Sequence, residues 1–102
     1  MRVIAISTLK DFWEQPMHRA TEQPLKAWYA ECVKVNWTQP ADIKAQYANA
    51  SILKNNRVVF NIKGNDYRLV VSISYRSSLV FVKFVGTHQA YDNIDAETVE
   101  LA

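Results

Sequence analysis

The stretch Phe60-Asn61-Ile62-Lys63-Gly64-Asn65-Asp66-Tyr67-Arg68-Leu69 decides the fold, because a hairpin turn sits in its middle. Arg57 to Lys63 reads as a first strand. Gly64-Asn65 is a two-residue loop of the Gly-first kind that supplies a type II′ turn. A second strand follows from Asp66 to Arg76, in which Tyr67, Leu69, Val71, Ile73 and Tyr75 alternate with Arg68, Ser72, Ser74 and Arg76. Ser77-Ser78 closes the next turn, and Leu79 to Val85 returns as a third strand. It runs into a polar cluster, Gly86-Thr87-His88-Gln89-Ala90-Tyr91-Asp92.

The two turns predict a register. With Gly64-Asn65 as the loop, Lys63 faces Asp66, Ile62 faces Tyr67 and Asn61 faces Arg68. With Ser77-Ser78 as the next, Arg76 faces Leu79, Ser72 faces Lys83 and Arg68 faces Thr87. Opposed residues share a sheet face. Asn61, Lys63, Arg68, Ser72 and Lys83 therefore gather on one side, with Arg57 farther along. Phe60, Ile62, Tyr67, Leu69, Val71, Ile73, Val80, Val82 and Phe84 gather on the other. His88 follows at the strand end beside Arg68. A cationic face with an imidazole at its lip is a candidate anion-binding site.

Length and composition bound the rest. A chain of 102 residues is expected to form one domain, 1–102, with room for a real core. An apolar fraction of 49% and three tryptophans fit a folded protein and not a disordered tail. The single Cys32 excludes an intrachain disulfide framework and favours a reducing compartment. Met1 to Ser7 is too short for a secretory h-region, and no apolar run approaches the roughly 20 residues of a membrane span. The expected location is cytoplasmic.

Net charge is +2, unevenly spread. Asp92, Asp95, Glu97 and Glu100 fall in the last eleven residues, where no Lys or Arg occurs, so 12 basic residues face 6 acidic ones over positions 1–91. A moderately basic body can bind nucleic acid through phosphate contacts. An ordinary solvated surface with an acidic C-terminus is the plain alternative.

From the start, Arg2 to Ile6 reads as a strand at the edge or centre of the sheet. Thr8-Leu9-Lys10-Asp11 gives a helix start signal, Leu9, Phe12 and Trp13 recur at helical spacing, and Pro16 stops that helix. A second helix begins between Thr21 and Pro24, with Leu25, Trp28, Tyr29, Cys32 and Val33 as its apolar stripe. After the linker Trp37-Thr38-Gln39, Pro40 to Tyr47 is a short connecting helix. Ser51 to Lys54 is a short strand, and Asn55-Asn56 turns into Arg57. The expected fold is α+β: an antiparallel-rich sheet with two N-terminal helices packed on one face, leaving the Arg68/Lys83 face open.

Several residues have plain readings. Trp28, Tyr29 and Cys32 lie on the helical stripe and are expected in the core. His18 follows a proline in a linker and is expected to be solvated. Two histidines and one cysteine lack metal-ligand spacing, so no metal is expected. No P-loop, dinucleotide fingerprint or G-x-S-x-G is present, and no cofactor is expected.

The segments Phe60 to Leu69 and Phe84-Val85-Gly86-Thr87-His88-Gln89-Ala90-Tyr91-Asp92, with Pro40-Ala41-Asp42-Ile43-Lys44 before them, resemble the HigB-type toxins of bacterial type II toxin–antitoxin systems, within the RelE-like superfamily. The similarity covers almost the full length. It implies a compact RelE-like fold and an mRNA interferase that cleaves mRNA, usually on the translating ribosome. It also implies a cognate helix-turn-helix antitoxin, a HigA-like protein, that inhibits the toxin and carries the pair to operator DNA. Asp66 departs from the pattern, standing where many relatives have a basic residue.

The chemistry can be stated independently. RNA carries its own nucleophile, the 2′-OH, so cleavage without a metal needs a base, a cation for the phosphorane and an acid for the leaving 5′-oxygen. Arg68 is the candidate phosphate clamp, since a guanidinium binds phosphate bidentately and keeps its charge. Lys63 and Lys83 can add electrostatic stabilisation. Histidine is the side chain that ordinarily titrates near neutrality, which makes His88 a candidate base or acid. Tyr91 returns to the same site if the chain turns helical there, to orient RNA or stack on a base. The candidate catalytic set is thus Arg68, His88, Lys63 and Tyr91, with Arg57, Asn61, Lys83 and Ser72 as RNA contacts. Two other readings use the same residues: a non-catalytic RNA- or ribosome-binding module, and a protein-interaction subunit that never meets RNA. Thr87-His88 can also simply cap the segment that follows.

Overall fold

The computed structural model describes residues 1–101. A short strand β1 (Arg2–Ile4) leads into helix α1 (Ile6–Trp13), a 3-10 helix (Pro16–Thr21), and helices α2 (Glu22–Cys32) and α3 (Pro40–Gln46). Strands β2 (Ser51–Ile52), β3 (Arg57–Ile62), β4 (Tyr67–Ser74) and β5 (Leu79–Thr87) follow, and a one-turn helix α4 (His88–Tyr91) ends the regular structure. The strands form one sheet in the order β1-β5-β4-β3-β2. β1 pairs parallel to β5 at the edge, and every other pairing is antiparallel. The expected α+β architecture is present.

The helical stripes explain why the helices lie where they do. Leu9 and Trp13 of α1, Leu25, Trp28 and Cys32 of α2, and Ile43 of α3 are all buried against Phe60, Leu69, Val71, Ile73, Val80 and Val82. Phe60 is the hub, with Trp28 edge-on at 5.5 Å, Trp37 stacked at 6.2 Å and Tyr47 edge-on at 5.1 Å. Burying such a ring stabilises the fold by about 1.5–3 kcal/mol. Trp37, read from sequence as linker, is 2% exposed and belongs to this core. Val33, at the end of the α2 stripe, is exposed.

α1 starts two residues before the Thr8 signal. Ala5 takes a left-handed conformation (φ 72°) and its carbonyl accepts from Thr8 N–H at 3.0 Å. The chain must reverse directly out of an edge strand for Leu9 and Trp13 to reach the sheet, and that tertiary demand overrides the local cap.

The register predicted for β3 and β4 is the one observed: Asn61 faces Arg68 and Ile62 faces Tyr67. The β4–β5 register is not. Tyr75 to Ser78 form a four-residue turn with Ser78 at φ 57°, so Ser74 faces Leu79 and Ser72 faces Phe81, not Lys83. An irregularity between Val70 and Val71 then leaves Lys83 without an opposite number, as a bulge does, so Arg68 faces Gly86, not Thr87. One extra residue reverses the alternation beyond it. Phe84 accordingly turns away from the helices, and Val85 takes the helix-facing side.

The second face of the sheet is covered, not open. Val59 and Val70 on that face are buried together with Ala96, and Phe84, Ile94 and Val99 pack against them. The acidic C-terminal segment therefore lies across the far side of the sheet. The sequence carries the cause in its paired apolar residues, Val58-Val59 and Val70-Val71, which place a hydrophobe on each face.

Candidate functional site

The hairpin after β3 is built differently from a Gly-Asn type II′ turn. Both Lys63 (φ 52°) and Gly64 (φ 64°) are left-handed, and Asp66 N–H donates to the Lys63 carbonyl at 3.2 Å. Glycine adopts that conformation without strain, whereas a residue with a Cβ does so at a cost of about 1–2 kcal/mol. Lys63 thereby leaves the ladder, and its ammonium lies 3.5 Å from the Asp66 carboxylate.

The end of β5 folds back onto this turn. The Thr87 hydroxyl accepts from Ala90 N–H at 3.1 Å, an N-cap that starts α4. His88, the first residue of α4, donates its backbone N–H to the Asp66 carbonyl at 3.1 Å. Turn and helix start thus clasp a hollow of about 260 Å³ lined by Lys63, Asp66, Tyr67, Thr87, His88 and Gln89. An ammonium and an exposed imidazole share one cleft. Thr87 does cap the next segment, and the cap is what aims His88.

Arg68 lies on the other side of the same strand. Its guanidinium donates to the Asn65 carbonyl at 2.8 Å and to the Tyr67 carbonyl at 3.1 Å, and sits 5.9 Å from the centre of the Tyr91 ring. One turn of helix therefore carries His88 to the cleft and Tyr91 to the guanidinium. Asn61, opposite Arg68, donates from its amide to the Asn65 side chain at 3.3 Å. Lys63, Arg68, His88, Tyr91 and Asn61 all lie around one hairpin turn.

Arg57, Lys83 and Ser72 lie elsewhere. Arg57, 6% exposed, donates to the Val99 carbonyl at 2.6 Å and the Ala96 carbonyl at 3.5 Å, and pairs with Glu100 at 2.9 Å. Lys83 Nζ pairs with the other Glu100 oxygen at 2.6 Å. The hydrogen bond from Lys83, helped by the charges of Lys83 and Arg57, holds the Glu100 carboxyl below its ordinary range. Ser72 faces Arg57 across the β3–β4 ladder. These cations are matched by a carboxylate of the same chain, a pairing that strand alternation alone does not reveal.

His18 is not a solvated linker residue. Its ring stacks on Phe12 at 4.2 Å with the planes 10° apart, and meets Tyr67 edge-on at 5.6 Å. The signal that could have placed it is the pair of prolines, Pro16 and Pro24, which confine the intervening residues to a tight turn between two packed helices.

Cys32 is buried on the α2 stripe, and burial pushes its thiol up to about 12. It is a small core residue, not a nucleophile. Among the described residues, no group of three or more His, Cys, Asp or Glu side chains is placed to hold a metal ion. No helix among them is long and apolar enough to cross a membrane.

Comparison with known proteins gives a consistent picture. The family model of the HigB toxin, described as the RelE-like toxic component of a toxin-antitoxin system, matches residues 21–94. The mRNA interferase toxin HigB of Escherichia coli (strain K12) is 30% identical over 94 residues, which is 90% of this chain and 88% of that protein. The mRNA interferase HigB proteins of Escherichia coli O157:H7 and Shigella flexneri match with the same identity and coverage.

Proposed function

Since the chain belongs to the HigB family of RelE-like toxins, we propose that it is an mRNA interferase, an endoribonuclease that cuts mRNA on the translating ribosome and so arrests translation and growth. The observation that carries this reading is the cleft at the hairpin turn, where Lys63 and His88 face the same hollow and Arg68 lies one residue behind Tyr67. The 2′-OH of RNA is the nucleophile. His88 takes part in proton transfer, and Lys63 stabilises the charge that grows on the phosphorane. Arg68, on the other side of β4 beside Tyr91, clamps a phosphate of the same RNA strand, while Tyr91 holds Arg68 or stacks on a base.

The RNA contacts of the proposal centre on Asn61, Lys63, Arg68 and Tyr91. Arg57, Lys83 and Ser72 join them only where RNA displaces Glu100. A cognate helix-turn-helix antitoxin is the proposed partner, and contact with operator DNA runs through it.

The test is induction of this chain alone in a bacterial host, beside Arg68→Ala, with transcriptome-wide mapping of RNA 5′ ends. Growth arrest with new cuts inside coding regions, both lost in Arg68→Ala, is expected. Arrest without cuts would make it a binder that blocks translation. Neither arrest nor cuts, from folded protein, would leave a protein-interaction subunit.

A further inference from the structure

We propose that the Tyr67 hydroxyl, held by His18, is the proton donor that works opposite His88 in the cleft. This rests on the nuclease reading and names the acid that reading leaves unassigned. Tyr67 lines the hollow together with Lys63, Thr87 and His88. Its hydroxyl lies 3.4 Å from His18 Nδ1.

His18 is held from several sides. Its ring stacks on Phe12, which itself meets Tyr67 edge-on at 5.9 Å, so three rings fix one another. Its backbone N–H donates to the Gln15 carbonyl at 2.9 Å. Its carbonyl accepts from the Thr21 hydroxyl at 2.6 Å, and Thr21 is fully buried. A buried polar side chain is thus committed to the turn that carries this imidazole. With a proton on Nδ1, His18 donates to the phenol oxygen, and the Tyr67 O–H is free to donate to an RNA oxygen.

The step balances without an outside reagent. The 2′-oxygen bonds to phosphorus and its proton passes to the His88 imidazole. The bond from phosphorus to the 5′-oxygen breaks, and that oxygen takes the Tyr67 proton. The products are a 2′,3′-cyclic phosphate and a 5′-hydroxyl. The hydrogen bond from His18 stabilises the phenolate until it regains a proton from solvent, and His88 returns its own to solvent. Tyr67 is the catalytic residue and His18 positions it.

The test uses the purified chain with ribosome-bound mRNA, in single-turnover reactions, at a cut site mapped with the unmodified protein. A second RNA carries sulfur in place of the leaving 5′-oxygen, and a thiolate departs without an acid. Tyr67→Phe keeps the ring cluster and is expected to cut the oxygen-linked RNA about 100-fold more slowly. On the sulfur-linked RNA it is expected to match the unmodified protein. His18→Phe, which keeps the stack on Phe12, is expected to show a smaller loss that also vanishes with sulfur. The double variant is expected to be no slower than Tyr67→Phe, because the two act as a unit. Tyr67→Phe cutting oxygen-linked RNA at the unmodified rate overturns the proposal, as does an equal loss on both RNAs. No cutting by the unmodified protein removes the nuclease reading and the proposal together, whereas cutting with an unimpaired Tyr67→Phe removes the proposal alone.

Discussion

Strand β3 starts and ends near cations that have opposite surroundings. At its start, Arg57 is buried and bonded to Val99, Ala96 and Glu100, and Lys83 shares the same carboxylate. About 20 Å along the strand, where β3 meets its hairpin turn, Lys63 and an exposed His88 share a hollow, and Arg68 lies on the other side of β4 against Tyr91. Both ends look alike in an alternation pattern. What separates them is the C-terminal segment, whose Ala96, Val99 and Glu100 bind Arg57 and Lys83 at the first end. A cationic sheet face is therefore not evidence of a binding site until the anions of its own chain are placed. At the turn end the Asp66 carboxylate lies 3.5 Å from the Lys63 ammonium, but both side chains are exposed and such a pair is weak, so the turn end stays the candidate.

The sharpest way to break this comparison is to remove one arginine from each end. Arg68→Ala is expected to slow RNA cleavage by about 10²–10³-fold with little change in melting, because its carbonyl contacts lie at an exposed turn. Arg57→Ala is expected to do the reverse. It strips the Val99 and Ala96 carbonyls of a buried donor and should lower stability by about 2–3 kcal/mol, with a melting midpoint roughly 10 °C lower. Equal melting of the two variants would erase the distinction.

A smaller effect is expected at Gly86, which faces Arg68 across the ladder. A Cβ built there would sit 2.6 Å from the Phe84 ring tip, so that ring must shift within the cluster under the C-terminal segment. Gly86→Ala should cost about 1–2 kcal/mol by overpacking, readable as a lower denaturant midpoint.

The smallest expected effect is a pH dependence of the covered end. The Glu100 carboxyl is lowered in the fold by Lys83 first and Arg57 after it. A carboxyl lowered on folding contributes above its unfolded value and loses that contribution as pH falls through its folded value. The protection of residues 95–101 against hydrogen exchange, relative to the intrinsic rate at each pH, should therefore fall on acidification below the ordinary carboxylate range. Glu100→Gln should flatten that response, and an unchanged acid response in that variant would assign it to another group.

How much of this was legible depends on whether the signal is local. The β3–β4 register was, because Gly64 supplies the turn and both strands alternate cleanly beside it. The β4–β5 register was not, because a four-residue turn and a bulge at Lys83 each shift the pairing. Burial of the second face was half legible, in Val58-Val59 and Val70-Val71. Its other half lies in Ile94, Ala96 and Val99, spread through an acidic segment that reads as solvated. Lys63 and His88 were singled out by their segments, but the hollow that they share with Tyr67 was not legible, because it depends on the left-handed turn at Lys63 and on the Thr87 cap. His18 was not, because its meaning comes from the Phe12 and Tyr67 rings that packing brings to it.

The most direct test is single-turnover cleavage of ribosome-bound mRNA by purified His88→Ala and Arg57→Ala, at a temperature where both are folded. The account predicts that His88→Ala is slower by about 100-fold or more and that Arg57→Ala cuts at the unmodified rate. Unimpaired cutting by His88→Ala, or an Arg57→Ala as slow as His88→Ala, would contradict it.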